Sequence, residues 1–224
     1  KALVHGGNSA SAAGLQDARE LYAGPVVEVI RPAVRRAVAS TRNNKVGVIS
    51  TQATHQSQAY VDAFAAAPQI TVMSRPCPRF VEFVESGVTS GDELIAVAHS
   101  YLDPIAAQGV DTLILGCTHY PLLTGVISYV MGEDVTLVSS AEETAKDVFR
   151  VLADARTLRP DDPPAPGPEF LPTGEPPERG RAPRRFRGPG AGGRGPGGDV
   201  RTGLEGLGQG RSARKGGKDA ELDL

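Results

Sequence analysis

Six short apolar runs, separated by helical patterns, constrain the fold of this chain more than any other feature of its sequence. Such runs predict strands that are buried on both faces, and the helical patterns between them predict crossover connections. Repeated strand–helix units form a parallel α/β sheet that helices cover on both sides. The predicted strands are residues 2–4, 26–30, 45–50, 70–74, 112–116 and 135–138, and the predicted helices are residues 12–22, 32–40, 56–66, 80–85, 91–107 and 141–155.

The alternation stops near residue 159, where the composition changes. Between residues 160 and 200, 21 of 41 residues are Pro or Gly, so neither a helix nor a sheet can propagate. We therefore predict that residues 159–224 form a disordered tail. Within it, residues 179–218 carry 11 Lys or Arg against two acidic residues. That pattern is typical of a solvated terminus and, less often, of a segment that attracts nucleic acid non-specifically.

The charge and the cysteine content argue against a nucleic-acid or membrane-surface partner and against a structural disulfide or metal site. The 224 residues have a formal net charge of −2, which does not indicate a nucleic-acid or membrane-surface partner. The two cysteines form no C-x-x-C pair and the histidines have no zinc-like spacing, which favours a reducing compartment without a structural disulfide or metal site. No signal peptide and no apolar stretch of transmembrane length is visible, so the cytoplasm is the expected location.

The segment L-I-L-G-C-T-H-Y-P-L-L, residues 113–123, is the clearest candidate for chemistry. Its first residues predict a buried strand, Gly116 lets the backbone turn, and Thr118 and Pro121 suit the start of a helix. Cys117 then lies just beyond the carboxyl end of a strand, where open α/β sheets bind ligands. A thiol two residues from His119 forms a pair that can move protons.

This segment resembles the second catalytic signature of glutamate racemase, within the aspartate/glutamate racemase superfamily. Five further segments follow the same family in the same order, and the wording is closest to actinobacterial members. The resemblance extends from residue 1 to about residue 158. The matching segments are N-S-A-S at residues 8–11, P-V-V-E-V-I at 25–30, V-G-V-I-S-T-Q-A-T at 46–54, C-P-R-F-V-E-F-V-E-S-G at 77–87, G-C-T-H-Y-P-L-L at 116–123 and V-S-S-A-E-E-T-A at 138–145.

The resemblance implies an α/β fold of two pseudo-symmetric parallel-sheet domains that face each other across a cleft. Residues 1–43 would belong to the first domain, to which residues 138–158 return, and residues 44–137 would form the second. The first domain is expected to be incomplete. The family begins with a strand, an Asp-Ser-Gly turn and a later Tyr-Gly pair, and all of these would lie before Lys1.

The implied reaction is the cofactor-independent interconversion of L- and D-glutamate, which supplies D-glutamate for the peptidoglycan stem peptide. Because the α-proton is weakly acidic, such an enzyme needs a base on each face of the α-carbon. In the family two cysteines serve as these bases, and Cys117 matches the one that acts on the L-enantiomer. Gly7 stands where the family usually has the other cysteine, so we expect an impaired reaction.

The resemblance also implies roles for residues around Cys117. His119 would lower the pKa of the Cys117 thiol or relay its proton. Glu85 would assist one half of the proton transfer, or it would lie on a solvated helix face. Asn8 and Ser9 would hold the substrate's carboxylate and ammonium groups, a role compatible with capping a helix. The predicted catalytic residues are Cys117, His119 and Glu85, and the predicted substrate-binding residues are Asn8, Ser9, Thr51, Thr54 and Thr118.

Alternative interpretations keep part of this assignment. A related aspartate or hydantoin racemase would share much of the pattern, and a non-catalytic remnant that binds an acidic amino acid would explain Gly7. The H-G-G run at residues 5–7 resembles an esterase loop, but the chain contains no G-x-S-x-G nucleophile elbow. Cys77 is interpreted as packing. The implied partner is the small molecule glutamate, and a homodimer is one assembly that we consider. No membrane, cofactor or metal is expected to take part.

Overall fold

Six parallel strands carry the fold over residues 1–159, the part of the chain that the computed structural model describes. The first two strands, β1 (Leu3–His5) and β2 (Val26–Glu28), pair with each other. The others are β3 (Lys45–Ser50), β4 (Thr71–Pro76), β5 (Thr112–Gly116) and β6 (Thr136–Ser139). They form one parallel sheet in the order β4-β3-β5-β6. This confirms the predicted α/β class with parallel sheets.

Helices connect successive strands, as parallel pairing requires. They are α1 (Asn8–Leu21), α2 (Ile30–Ser40), α3 (Gln52–Gln56), α4 (Ala59–Phe64), α5 (Arg79–Ser86), α6 (Asp92–Ala106), α7 (Thr124–Met131) and α8 (Ser140–Asp154), with a short 3₁₀ helix at Tyr120–Leu123. None of the helices described within residues 1–159 is both long and apolar enough to span a bilayer.

The four-stranded sheet has an apolar layer on each face. Successive side chains of a strand point to opposite faces, so Leu113 and Leu115 join the layer formed with α5, α6 and α7. Ile114, between them, joins the layer formed with α2 and α4. All three are at most 2% exposed. This double burial explains why β5 reads as a continuous apolar run.

Two predicted elements end in different places from those expected. The predicted strand 26–30 stops at Glu28, because the Glu28 carboxylate accepts hydrogen bonds from the backbone N–H groups of Ile30 (2.6 Å) and Arg31 (2.9 Å) and so supports the start of α2. The predicted helix 56–66 begins later, as α4 at Ala59, and Gln56 is the last residue of α3. Gln58 between them has a left-handed φ of 57°, and the Ser57 hydroxyl donates to the carbonyl of Thr54, a local bond that competes with helix continuation.

Two further boundaries were also missed. Helix α1 begins at Asn8, four residues before the predicted start, with Gly7 as its N-cap. The helical stretch over residues 120–131 was anticipated only by its start signals. The predicted domain boundaries at residues 43, 137 and 158 stay a prediction. The predicted disordered tail, apart from Arg159, lies outside the described residues.

Candidate active site

The carboxyl ends of β3 and β5 lie side by side, because Ser50 and Gly116 are register partners at the last position of the two strands. Thr51 and Cys117 are the next residues along the chain. Loops that leave adjacent parallel strands at this edge form the usual ligand-binding crevice of an open α/β sheet. The register therefore brings two of the predicted site segments to one edge of the sheet.

Gly116 is required here for close packing. It is absent from the positive-φ residues, so a left-handed conformation is not what requires glycine, and its predicted role of permitting a turn stays a prediction. A Cβ at this position would lie 2.9 Å from the Ile49 carbonyl oxygen and 3.0 Å from the Tyr60 ring. Any other residue would push β5 away from β3 or displace Tyr60. The glycine thus fixes the position of the following residue, Cys117.

Cys117, His119 and Glu85 form a connected chain of side chains. The Cys117 Sγ lies 3.6 Å from Nδ1 of His119, and Nε2 of His119 lies 2.6 Å from Oε1 of Glu85. If Nε2 donates to the carboxylate, Nδ1 is left as the acceptor that faces the thiol. The thiol is 5% exposed, whereas the side chains of His119 and Glu85 are 20% and 52% exposed. These three side chains therefore connect a buried sulfur atom to solvent.

Burial raises the pKa of the Cys117 thiol, and the backbone N–H groups of His119 and Tyr120 offset only part of that rise. The net direction is opposite to the lowered pKa that was one of the two predicted effects of His119. The geometry favours the other predicted effect, since the imidazole lies between the thiol and a carboxylate and can carry a proton in either direction.

Three predicted substrate-binding residues meet in a hydroxyl cluster formed by Ser9, Thr51 and Thr54. The Ser9 Oγ lies 3.0 Å from Oγ1 of Thr51 and 3.1 Å from Oγ1 of Thr54, and the two threonine oxygens are 3.1 Å apart. Thr51 also caps α3 by accepting from the backbone N–H of Thr54. Each hydroxyl can donate or accept a hydrogen bond, so the cluster can reorient toward a carboxylate or an ammonium group.

Asn8 is 4% exposed and belongs to a buried hydrogen-bond network. Its Oδ1 accepts from the Tyr60 hydroxyl (2.7 Å), and its Nδ2 donates to the Ser140 hydroxyl (3.2 Å). Ser140 in turn donates to the carbonyl of Leu115 in β5 (3.0 Å). This network ties the start of α1 to the strand that ends before Cys117. Asn8 is thus held in place by two residues that the sequence analysis missed.

Tyr60 and Ser140 had different signals in the sequence. Ser140 lies in the V-S-S-A-E-E-T-A segment, which the resemblance had marked without giving the serine a role. Tyr60 lay in a predicted helix with no motif around it, so no local pattern could have found it. Burial raises the pKa of the Tyr60 phenol well above its ordinary value, so the hydroxyl keeps its proton and donates to Asn8.

The second cysteine is in the core. Cys77 is fully buried, and burial raises the pKa of its thiol to about 12. The Tyr120 hydroxyl shares its one hydrogen between the carbonyls of Cys77 (2.9 Å) and Ser50 (2.8 Å), which joins the backbone at the ends of β3 and β4. Thr118, the last predicted binding residue, is exposed between Cys117 and His119.

Gly7 has room for a side chain. Its φ of −109° and ψ of 134° are accessible to any residue. The nearest atom to a Cβ built there would be the Ala10 Cβ, at 3.7 Å, which is an ordinary van der Waals distance. Nothing in the local packing therefore requires glycine at this position.

A separate cavity of about 840 Å³ lies beside α1, α4 and the start of α2. Its lining includes Ser11, Gln16, Arg19, Glu28 and Asp62, and none of the predicted site residues. Within residues 1–159 no three His, Cys, Asp or Glu side chains are grouped as a metal site would require.

The sequence is similar to a known family of proteins. A family model described as Asp/Glu/Hydantoin racemase matches residues 1–148. The glutamate racemase of Beutenbergia cavernae is 62% identical over 200 residues, which cover 84% of this chain and 68% of that protein.

Solved structures of glutamate racemases are also similar to this chain. The crystal structure of glutamate racemase isoform RacE1 from Bacillus anthracis matches with a TM-score of 0.68 and 40% identity, over 70% of this chain and 60% of that one. The Francisella tularensis glutamate racemase in complex with D-glutamate matches with a TM-score of 0.66 and 34% identity, over 71% of this chain. The chain spans about 59% of that second structure.

Proposed function

This chain belongs to the Asp/Glu/Hydantoin racemase family, and from that premise we propose that it carries the glutamate racemase site. The proposed reaction moves the α-proton of glutamate without a cofactor. The observation that carries the proposal is the chain of side chains from Cys117 through His119 to Glu85. It supplies a base, a proton relay and an outlet to solvent at the edge of the sheet where ligands bind.

In the proposed mechanism, Cys117 is the base on one face of the α-carbon. His119 accepts the thiol proton at Nδ1, and its bond to the Glu85 carboxylate stabilises the imidazolium that forms. The thiolate then removes the α-proton of L-glutamate. Its raised pKa makes the thiolate a stronger base once it is formed, which suits abstraction from a weakly acidic carbon.

Substrate binding is assigned to the start of α1 and the hydroxyl cluster. No side chain caps α1, because its N-cap is Gly7. The N–H groups of the first turn are therefore available to an anionic group such as a carboxylate. Ser9, Thr51 and Thr54 supply hydroxyls beside that turn. Asn8 is fixed by Tyr60 and Ser140 with one amide hydrogen left to donate. Thr118 would add a further hydroxyl.

Gly7 is expected to impair racemisation, since inversion needs an acid on the face opposite Cys117. A positioned proton donor contributes on the order of 10²–10⁴-fold to a rate. This favours the alternative of a chain that binds the amino acid but inverts it poorly.

Assays with aspartate in place of glutamate would test the related-racemase alternative. The product would enter peptidoglycan synthesis, and the cytoplasm is the compartment we propose.

Restoring the second thiol tests the proposal directly. Circular dichroism of an L-glutamate solution would follow racemisation by the native chain and by Gly7→Cys, which the space around Gly7 allows. We expect Gly7→Cys to racemise about 10²–10⁴-fold faster than the native chain.

Two controls sharpen this result. Adding Cys117→Ala to Gly7→Cys should return the rate to the native level, whereas adding Cys77→Ala should leave it unchanged, because Cys77 lies in the core. A Gly7→Cys chain that folds and still shows no gain would refute the two-thiol assignment. A native chain that already racemises as fast as Gly7→Cys would refute the proposed impairment.

A further inference from the structure

We infer that Cys117 and His119 together bind a thiophilic divalent cation such as Zn²⁺, which occupies both groups that the proposed mechanism uses. The ion is an exchangeable occupant that blocks the site, and it has no part in the proposed reaction. The inference goes beyond the proposed function, because it rests on the geometry of two ligand atoms and requires neither glutamate nor turnover.

The first observation is the distance between the two ligand atoms. The Sγ atom of Cys117 and the Nδ1 atom of His119 lie 3.6 Å apart. In a tetrahedral zinc site the Zn–S bond is about 2.3 Å and the Zn–N bond is about 2.0–2.1 Å, which places the sulfur and the nitrogen about 3.6 Å apart. An ion can therefore bridge this pair while the separation of the two atoms stays as it is.

The second observation is the hydrogen bond on the far side of the imidazole. Nε2 of His119 lies 2.6 Å from Oε1 of Glu85. A histidine that binds a metal through one ring nitrogen usually donates its other N–H to a carboxylate or a carbonyl, which fixes the tautomer and the ring orientation. When Nε2 donates to Glu85, the lone pair of Nδ1 is directed toward the sulfur. Because Glu85 belongs to α5, a separate element already orients the imidazole.

The chemistry of the two ligands selects the kind of ion. A thiolate and an imidazole suit Zn²⁺, whereas Mg²⁺, Ca²⁺ and Mn²⁺ prefer oxygen ligands. The other thiol offers no such pair, since Cys77 is fully buried with its Sγ near the carbonyl of Arg75. The expected ion is therefore a thiophilic one, held at Cys117.

The site is open on its other sides. Over the described residues 1–159, no group of three His, Cys, Asp or Glu side chains could hold a metal ion, so water completes the coordination. A structural zinc site has four protein ligands, and two ligands from one loop give a weaker and exchangeable complex. The side chain of His119 is 20% exposed and Cys117 is 5% exposed. The ion therefore reaches the sulfur from the imidazole side.

Binding exchanges a proton for the ion. The S–H bond of Cys117 breaks, its proton passes to solvent, and the sulfur electron pair forms a bond to Zn²⁺. The lone pair of His119 Nδ1 forms the second bond. No atom changes its oxidation state. While the ion is bound, the sulfur cannot accept an α-proton and Nδ1 cannot accept the thiol proton, so the ion inhibits any reaction that uses this pair.

Cobalt absorption spectroscopy tests the inference with the full chain. Co²⁺ replaces Zn²⁺ in tetrahedral sites, and a cobalt–thiolate bond adds a sulfur-to-metal charge-transfer band in the near ultraviolet. We expect this band when the native chain is titrated with Co²⁺, and we expect Zn²⁺ to remove it where Mg²⁺ does not. Cys117→Ala should abolish the band, whereas Cys77→Ala should leave it unchanged.

Two further variants separate a two-ligand site from a bare thiol. Glu85→Gln retains the thiol and the imidazole and should weaken cobalt binding by about 10–100-fold, because it removes the carboxylate that orients His119. His119→Ala should weaken it at least as much. His99→Ala is the matched control, since His99 is an exposed histidine that pairs with Asp103, and it should bind cobalt like the native chain. Far-UV circular dichroism checks that each variant is folded.

Absence of the band in the native chain would overturn the inference, and so would a band that survives Cys117→Ala. A cobalt affinity that His119→Ala does not weaken would also overturn it, because the ion would then be held by the thiol alone. The proposed function has a separate readout. If Gly7→Cys fails to racemise glutamate while the native chain binds cobalt, the proposed function falls and the inference stands. Racemisation by Gly7→Cys without a cobalt band has the opposite consequence.

Discussion

The two strand ends that build the site differ in the chemistry they offer. The β5 end carries the Cys117 thiol and the His119 imidazole, which bonds the Glu85 carboxylate of α5, whereas the β1 end carries His5, two glycines, the Asn8 amide and the Ser9 hydroxyl. The Tyr60–Asn8–Ser140 network joins the two ends through the carbonyl of Leu115. The difference teaches that one buried hydrogen-bond network can join two strand ends whose side chains differ in chemistry.

The most damaging change at the β5 end, short of removing the thiol, is loss of the imidazole. His119→Ala removes the group that lies 3.6 Å from Sγ and bonds Glu85. In the Gly7→Cys background we expect racemisation of L-glutamate, followed by circular dichroism, to fall by about 10²–10⁴-fold. His99→Ala is the matched control, because His99 is an exposed histidine that pairs with Asp103 on α6. An unchanged rate without His119 would show that the imidazole takes no part in proton transfer at the β5 end.

The sequence predicted the β5 end better than the β1 end, and the reason is physical. A continuous apolar run specified residues 112–116 as a strand, and Cys117 and His119 follow it within one local motif. The residues that hold Asn8 are distant in sequence: Tyr60 is 52 positions away and Ser140 is 132. Contacts over such separations depend on how elements pack, which a local pattern does not encode.

The helix boundaries show the same limit. The predicted helix 56–66 had no Gly or Pro to mark a break, yet Gln58 adopts a left-handed conformation there. That break starts α4 at Ala59 and so sets where Tyr60 lies in its first turn. Local sequence thus predicted that a helix lies here, whereas its start at Ala59 was not marked by any local signal.

A smaller effect is expected from the link between the two ends. Tyr60→Phe deletes the hydroxyl that donates to Asn8 Oδ1 and leaves a buried acceptor without that partner. We expect a loss of about 1–3 kcal/mol in the free energy of unfolding, measured by urea denaturation. Tyr129→Phe is the control, since Tyr129 is 71% exposed. A positioning role for Tyr60 further predicts weaker binding of glutamate by the folded variant. Unchanged stability and binding would show that the two ends are held together by other contacts.

The smallest expected effect separates the two thiols by their reaction with iodoacetamide. Cys117 should be labelled at least about tenfold faster than Cys77, because burial raises the pKa of Cys77 to about 12 and leaves it no exposed surface. Only the thiolate reacts, and the pKa of Cys117 lies above its ordinary value. A free cysteine has a pKa of about 8.5, so its labelling rate levels off at pH values above that. The labelling rate of Cys117 should still rise with pH in that range, because its thiolate fraction is still increasing. Peptide mapping after labelling at a series of pH values would measure both rates. A plateau for Cys117 near neutral pH would mean that His119 stabilises the thiolate after all, and the β5 end would then hold a preformed ion pair instead of a neutral relay.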